Sequence, residues 1–264
     1  MEALRSQHSP HRARGFSLIE LLVTLAVVVA LSSLLFPTLG KVREMAMRLM
    51  CQNNMRSIFM GLENYRNEYR ERLPPSSYAP QGVALEKLRP QQLMALTNDV
   101  PDQNNLLRWD GLGLLWRGIG TGYVSDYHCF YCPAHGATHP VERYSPIFER
   151  YKSTNPRTSE PVYANYHYWE PWNNAVRTQP AGSVARAMSP LANGVLLTDG
   201  MRTSPDFSHR FGCNALSTEG SIFWVGGNRL EMAVRQLPAQ DELKPTDAQV
   251  RLFEKLVAEL ESAR

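Results

Sequence analysis

The chain has 264 residues, 43% of them hydrophobic, and a formal net charge of +3, enough for one large domain or two small ones. The first 15 residues hold Arg5, Arg12 and Arg14 against Glu2, and the remainder carries 25 basic and 24 acidic residues. A folded domain so nearly neutral lacks the basic patch of a nucleic-acid binder, so no nucleic-acid partner is expected. Residues 1–15 form a short basic leader. Phe16 to Phe36 follow with one charge in 21 residues, and a helix of that length rises about 31 Å, the thickness of a bilayer core. Residues 16–36 are therefore predicted to be a transmembrane helix. The flanking charges do not orient it, because Lys41, Arg43 and Arg48 follow the run as arginines precede it. Cleavage after the apolar run would need a small-residue site, for which "ALS" at 30–32 is a weak match. That cleavage would leave Gly15 and Glu20 unexplained. A lone carboxylate in a bilayer costs about 2.5 kcal/mol or more, so Glu20 calls for a cationic partner.

"RGFSLIELLVTLAVVVALSSLLFP" at 14–37 resembles the class III signal of type IV pilins and type II secretion pseudopilins: a basic leader, glycine last in the leader, phenylalanine first in the mature chain and glutamate fifth. The resemblance implies cleavage between Gly15 and Phe16 by a prepilin peptidase, which methylates the new amino terminus. It implies that Glu20 of an incoming subunit pairs with the Phe16 amine of a neighbouring pilin or pseudopilin, setting axial register. It also implies anchoring in inner-membrane lipid by a single pass, with the C-terminal domain in the periplasm.

Residues 37–72 continue the helix with a different pattern. Leu39, Val42, Ala46 and Leu49, then Ile58, Leu62, Tyr65 and Tyr69, recur at three- and four-residue steps between charged residues. Pro37 removes one helical hydrogen bond and favours a kink. "LPPSS" at 73–77 ends the helix. Residues 73–237 read as one globular domain, with short helices around 91–96 and 112–117, strands at 162–169 and 194–200, and a hairpin at 213–227 turning at Glu219-Gly220. The expected fold class is α+β and pilin-like: a long N-terminal helix, half in membrane and half amphipathic, packed on an antiparallel sheet. The tail, 238–264, offers Thr246 as N-cap of an amphipathic helix bearing Phe253, Leu256, Val257 and Leu260.

"CQNNMRSIFMGLENYRNEYRERLPP", "GLLWRGIGTGYVSDYHCFYCPA" and "HRFGCNALSTEGSIFW" resemble a group of prepilin-type proteins whose C-terminal signature is histidine, nine residues, Asp-Gly. Counted from His209, that dipeptide falls on Glu219-Gly220, a departure of one methylene. Asp suits a tight primed turn better than Glu, because it tolerates positive φ. His209 itself reads as a loop-fixing residue bonded to a backbone carbonyl rather than a ligand.

"HCFYCPAHGATHP" at 128–140 spaces Cys129 and Cys132 like a zinc knuckle, with His135 and His139 close behind. Only Pro133 and Ala134 separate the last cysteine from the first histidine, too few for a finger to converge, so no metal is expected. In an oxidising compartment the four cysteines, Cys51, Cys129, Cys132 and Cys213, favour disulfides in any of three pairings. A bridge from Cys51 is the most useful, because it ties the long helix to the domain. The aromatic run Tyr163, Tyr166, Tyr168, Trp169 and Trp172 reads as sheet packing in preference to a sugar platform. No nucleophile elbow, phosphate loop or zincin helix is present, so neither an enzyme nor a cofactor is expected. The reading is a pilin-like or pseudopilin-like structural subunit of a pilus or type II secretion pseudopilus. The alternative is a membrane-tethered extracytoplasmic binding module that uses the signal only for processing and display.

Overall fold

The computed structural model describes residues 17–77, 93–98, 100–116, 122–136, 139–150, 158–169, 194–201, 207–209 and 212–236, apart from the side chains of Leu34, Leu35, Pro37, Thr38, Arg229 and Ala233. Helix α1 (Leu18–Glu68) begins the described fold. The chain forms two compact units, Met1–Arg43 and Glu44–Arg264.

In the first unit the helix starts with Glu20, whose carboxylate accepts a 2.9 Å hydrogen bond from the Ser17 amide. That bond satisfies one of the amides left open at any helix start. Leu18, Ile19, Leu21, Leu22, Val23, Leu25, Val27, Val28, Val29 and Leu31 are all exposed. At 100° per residue these positions cover the whole circumference. The Thr24, Ser32 and Ser33 hydroxyls donate to the carbonyls of Leu21, Val28 and Ala30 within the same helix. Among the described residues, no helix is long and apolar enough to cross a membrane. The described apolar side chains from Leu18 to Ser33 span about 24 Å, against roughly 30 Å for a bilayer core. The helical backbone continues through Pro37.

In the second unit α1 buries Cys51, Met55, Ile58 and Leu62 completely and Tyr65 nearly so. Their steps of four and three define the face that meets the core. The expected stripe holds only in part: Ile58, Leu62 and Tyr65 pack inward, whereas Leu39, Val42, Ala46, Leu49 and Tyr69 are exposed. Helix termination also differs from expectation. Arg70 and Glu71 adopt φ of 54° and 62°, the Glu71 amide donates to the Arg66 carbonyl, and the Arg66 guanidinium bridges Glu63 and Glu71. A left-handed turn therefore closes the helix before the prolines are reached.

Strands β1 (Tyr166–Tyr168), β2 (Val195–Asp199), β3 (Gly212–Ser217) and β4 (Ile222–Gly226) form one antiparallel sheet in the order β1-β2-β3-β4. This is an α+β, pilin-like arrangement of a long N-terminal helix and a four-stranded antiparallel sheet. The expected strand at 162–169 is shorter: Tyr163 lies outside it, in an isolated bridge to Ala95. In the two expected short helices, Gly111–Leu115 is a 3-10 helix and Leu93–Met94 a single 3-10 turn, Gln91 and Gln92 lying outside the described residues. Two helices lacked a sequence signal, α2 (Val141–Arg150) and α3 (Asn228–Arg235). Pro146 inside α2 masks a helix whose Tyr144 and Phe148 are buried one turn apart. Phe148 stacks on Tyr127 at 4.6 Å and Trp109 at 5.3 Å, and meets Trp116 edge-on at 5.5 Å.

The β3–β4 turn corrects the expected two-residue primed turn. The Gly220 amide donates to the Ser217 carbonyl and the Ser217 amide to the Ser221 carbonyl, which makes a three-residue loop of Thr218, Glu219 and Gly220. Only Gly220 has positive φ, at 84°, the geometry of a turn followed by a glycine bulge. Because Glu219 needs no positive φ, glutamate stands there without backbone strain. The aromatic run is core, as Tyr166, Tyr168 and Trp169 are buried, with Tyr168 donating to the Pro74 carbonyl and Trp169 to Thr198 Oγ1. Trp172 and the tail helix at 238–264 lie outside the described residues.

Candidate functional site

Glu44, Arg48 and Cys51 project from one face of α1, at steps of four and three, toward the sheet. Cys51 forms a disulfide with Cys132, 81 residues away, with Cα atoms 5.3 Å apart. His209 sits against this bridge, wholly buried. Its Nε2 lies 3.7 Å from Cys132 Sγ and 3.6 Å from Asp199 Oδ2. Its Nδ1 lies 3.1 Å from Glu44 Oε1. The expectation of a backbone carbonyl partner is therefore corrected: His209 faces two carboxylates and a sulfur. Neither carboxylate is Glu219, whose side chain is exposed.

Asp199 ends β2 at full burial. Its Oδ2 accepts from the Asn214 amide at 2.6 Å and from Asn214 Nδ2 at 3.0 Å, and Gln52 of α1 donates to Asn214 Oδ1 at 3.0 Å. Burial pushes the Asp199 carboxyl up to about 6, against the opposing pull of His209, the Asn214 donors and Arg48. Arg48 lies with Cζ 3.7 Å above the Trp224 ring, and desolvation lowers its pKa against attraction from Asp199 and Glu44. Trp224 in turn meets the His209 ring edge-on at 5.9 Å. One polar cluster thus joins α1 to β2, β3 and β4.

The compressed zinc-knuckle motif does not converge. Cys129 and Cys213 are buried thiols outside any bridge, which corrects the expectation of disulfides for all four cysteines. Burial raises both thiol pKa values, holding them protonated and unreactive. His139 pairs instead with the Tyr144 hydroxyl at 2.6 Å, and His135 with Ser208 at 3.3 Å. Among the described residues, the donors that do converge are Cys51, Cys132, Asp199 and His209, all buried and with ligand atoms within 4.8 Å of one another. Sequence reading missed Asp199, Glu44 and Arg48. The one available signal was the three- and four-residue step that aligns Glu44 and Arg48 with Cys51.

The N-terminal region is the second candidate site. Gly15 and Phe16 lie outside the described residues, and Glu20 stands in the first turn of α1. The prokaryotic N-terminal methylation motif matches residues 10–36. The chain carries a prepilin-type N-terminal cleavage and methylation signal. Neither a curated protein nor a solved structure matches the chain. A prepilin signal implies processing by a prepilin peptidase. The C-terminal His209 signature has no such independent match.

Proposed function

We propose that this prepilin-type protein is a pilin-like or pseudopilin-like structural subunit, a building block rather than a catalyst. In this reading it is anchored by residues 16–36 in the bacterial inner membrane, with its globular domain in the periplasm, and assembles into a pilus or a type II secretion pseudopilus. One observation supports it most. Directly behind the processing signal, α1 exposes large apolar side chains around its whole circumference from Leu18 to Leu31, and the described hydroxyls there bond within the helix. Such a surface suits lipid before assembly and neighbouring helices after it. Met45, Leu49 and Met60 add exposed apolar side chains farther along α1.

Glu20 has a defined part in this reading. Before cleavage it accepts from the Ser17 amide. After cleavage the Phe16 amine becomes a free cation, and an acceptor on one subunit can meet that cation on the next. Intact-mass measurement on membrane-extracted protein is expected to find a chain beginning at N-methylated Phe16, and a chain beginning near Ser33 would overturn the reading. Glu20→Ala is expected to be cleaved and inserted but to lose self-crosslinking in the envelope. Wild-type protein that is cleaved yet never crosslinks to a like subunit would instead favour a tethered display module.

A further inference from the structure

We propose that Cys51, Cys132, Asp199 and His209 form a tetrahedral site for a divalent metal, best suited to Zn2+, that is open when the Cys51–Cys132 bridge is reduced and closed when it is oxidised. The proposal stands independently of the assembly role. It rests first on distance. All four ligand atoms lie within 4.8 Å of one another in a buried cluster. Ligands on a tetrahedral Zn2+ at about 2.0–2.3 Å stand roughly 3.3–3.8 Å apart. His209 Nε2 is 3.6 Å from Asp199 Oδ2 and 3.7 Å from Cys132 Sγ, already at such spacings and too long for a good N–H hydrogen bond to the carboxylate.

The surroundings of the histidine agree. With Nδ1 donating to Glu44 Oε1 at 3.1 Å, the proton is held on Nδ1 and the Nε2 lone pair faces the cluster. A carboxylate behind a histidine is the usual support for a zinc ligand. Asp199 has spare capacity too, because its buried Oδ1 has no hydrogen-bond partner among the described residues. A buried acceptor left unpaired is destabilising unless something else engages it. Two thiolates and one carboxylate leave a single excess negative charge on Zn2+; with the Glu44 carboxylate behind His209 the cluster carries two, and Arg48, attracted to both Asp199 and Glu44, offsets one of them.

The chemistry balances. A dithiol reductant gives two electrons and two protons to the bridge and leaves as its own cyclic disulfide; Zn2+ then displaces the two thiol protons to solvent and the sulfurs separate to about 3.8 Å. The same two sulfurs cannot hold metal and bridge at once, so metal and disulfide exclude one another. A cleft of about 360 Å³, lined by Asn53, Asn54, Tyr131 and His135 among others, reaches one of the four ligands, Cys132.

The test uses the detergent-solubilised full chain, oxidised or reduced with a phosphine under anaerobic conditions, and titrated with Co2+. The reduced chain is expected to take up one Co2+, with thiolate-to-cobalt charge-transfer bands and the intense visible bands of a tetrahedral ion, which Zn2+ then abolishes. The oxidised chain is expected to show neither. Cys51→Ser and Asp199→Asn are expected to remove those bands, and Cys129→Ser to leave them intact. Glu44→Gln, outside the ligand set, is expected to retain the spectrum with affinity weaker by about tenfold. A reduced wild-type chain without the tetrahedral spectrum overturns the proposal. So does equal uptake by the oxidised chain, or loss of the bands in Cys129→Ser but not in Cys51→Ser.

Discussion

Reduction of the Cys51–Cys132 bridge is the perturbation whose size follows most directly from the structure. The bridge closes a loop of 81 residues between α1 and the segment leading to α2. In the chain-entropy treatment such a loop removes roughly 15 cal/mol/K from the unfolded ensemble, or about 4.5 kcal/mol at 25 °C. Measured losses of native bridges run at about 2–5 kcal/mol, and the folded state here retains the packing of Met55, Ile58 and Leu62, so reduction should weaken the domain without dissolving it. The assay is equilibrium urea unfolding in detergent with and without a phosphine reductant, with chelator present so that no metal replaces the bridge. Fluorescence of the buried Trp109, Trp116 and Trp169 reports the transition. The midpoint is expected to fall by the equivalent of about 2–5 kcal/mol, and the slope to rise as the uncrosslinked chain exposes more surface. A loss under about 1 kcal/mol would refute the reasoning, because packing alone would then hold α1 against the sheet.

Asp199 sets a pH dependence. Its carboxyl titrates near 6 in the fold against 3.8 when unperturbed, so the folded state binds the proton more tightly and stability falls as pH rises between those values. The drop amounts to about 3 kcal/mol. Asp199→Asn is expected to flatten that window in unfolding curves taken from pH 4 to pH 7, and an unchanged slope would place the titration elsewhere. Gly220→Ala puts a side chain at φ 84° with its Cβ 2.5 Å from the Phe59 ring and is expected to cost at least about 1–2 kcal/mol. Glu219→Asp, at the exposed neighbouring position, is expected to stay within about 0.5 kcal/mol of wild type, with thermal melts distinguishing the two. Gly113→Ala would bring a Cβ to 1.9 Å from the Leu96 carbonyl oxygen; backbone cannot swing aside as a side chain does, and a loss of about 1–3 kcal/mol is expected in the same assay.

The prepilin signal was legible from the sequence because a peptidase reads it as a short contiguous string. A basic leader, Gly15, Phe16, Glu20 and the apolar run need no tertiary contact to be recognised, and the match at residues 10–36 agrees. Strands β2 to β4 were legible for a related reason: their apolar runs and the Glu219-Gly220 turn are local, although the type of that turn depended on backbone bonds that the dipeptide alone does not dictate.

What only the tertiary structure decided lies across long separations. Four cysteines admit three pairings, and choosing Cys51 with Cys132 required α1 to lie beside a segment 81 residues away. His209, expected to bond a backbone carbonyl of its own loop, instead meets Glu44 from 165 residues before it and Asp199 from the adjacent strand. The face of α1 was equally undecided by periodicity. Leu39, Val42, Ala46 and Leu49 form as regular a stripe as Cys51, Met55, Ile58 and Leu62, and hydrophobicity alone ranks them alike. Within the second unit the sheet and the bridge select Cys51, Met55, Ile58 and Leu62 for the core, because a helix can turn only one face to a given partner.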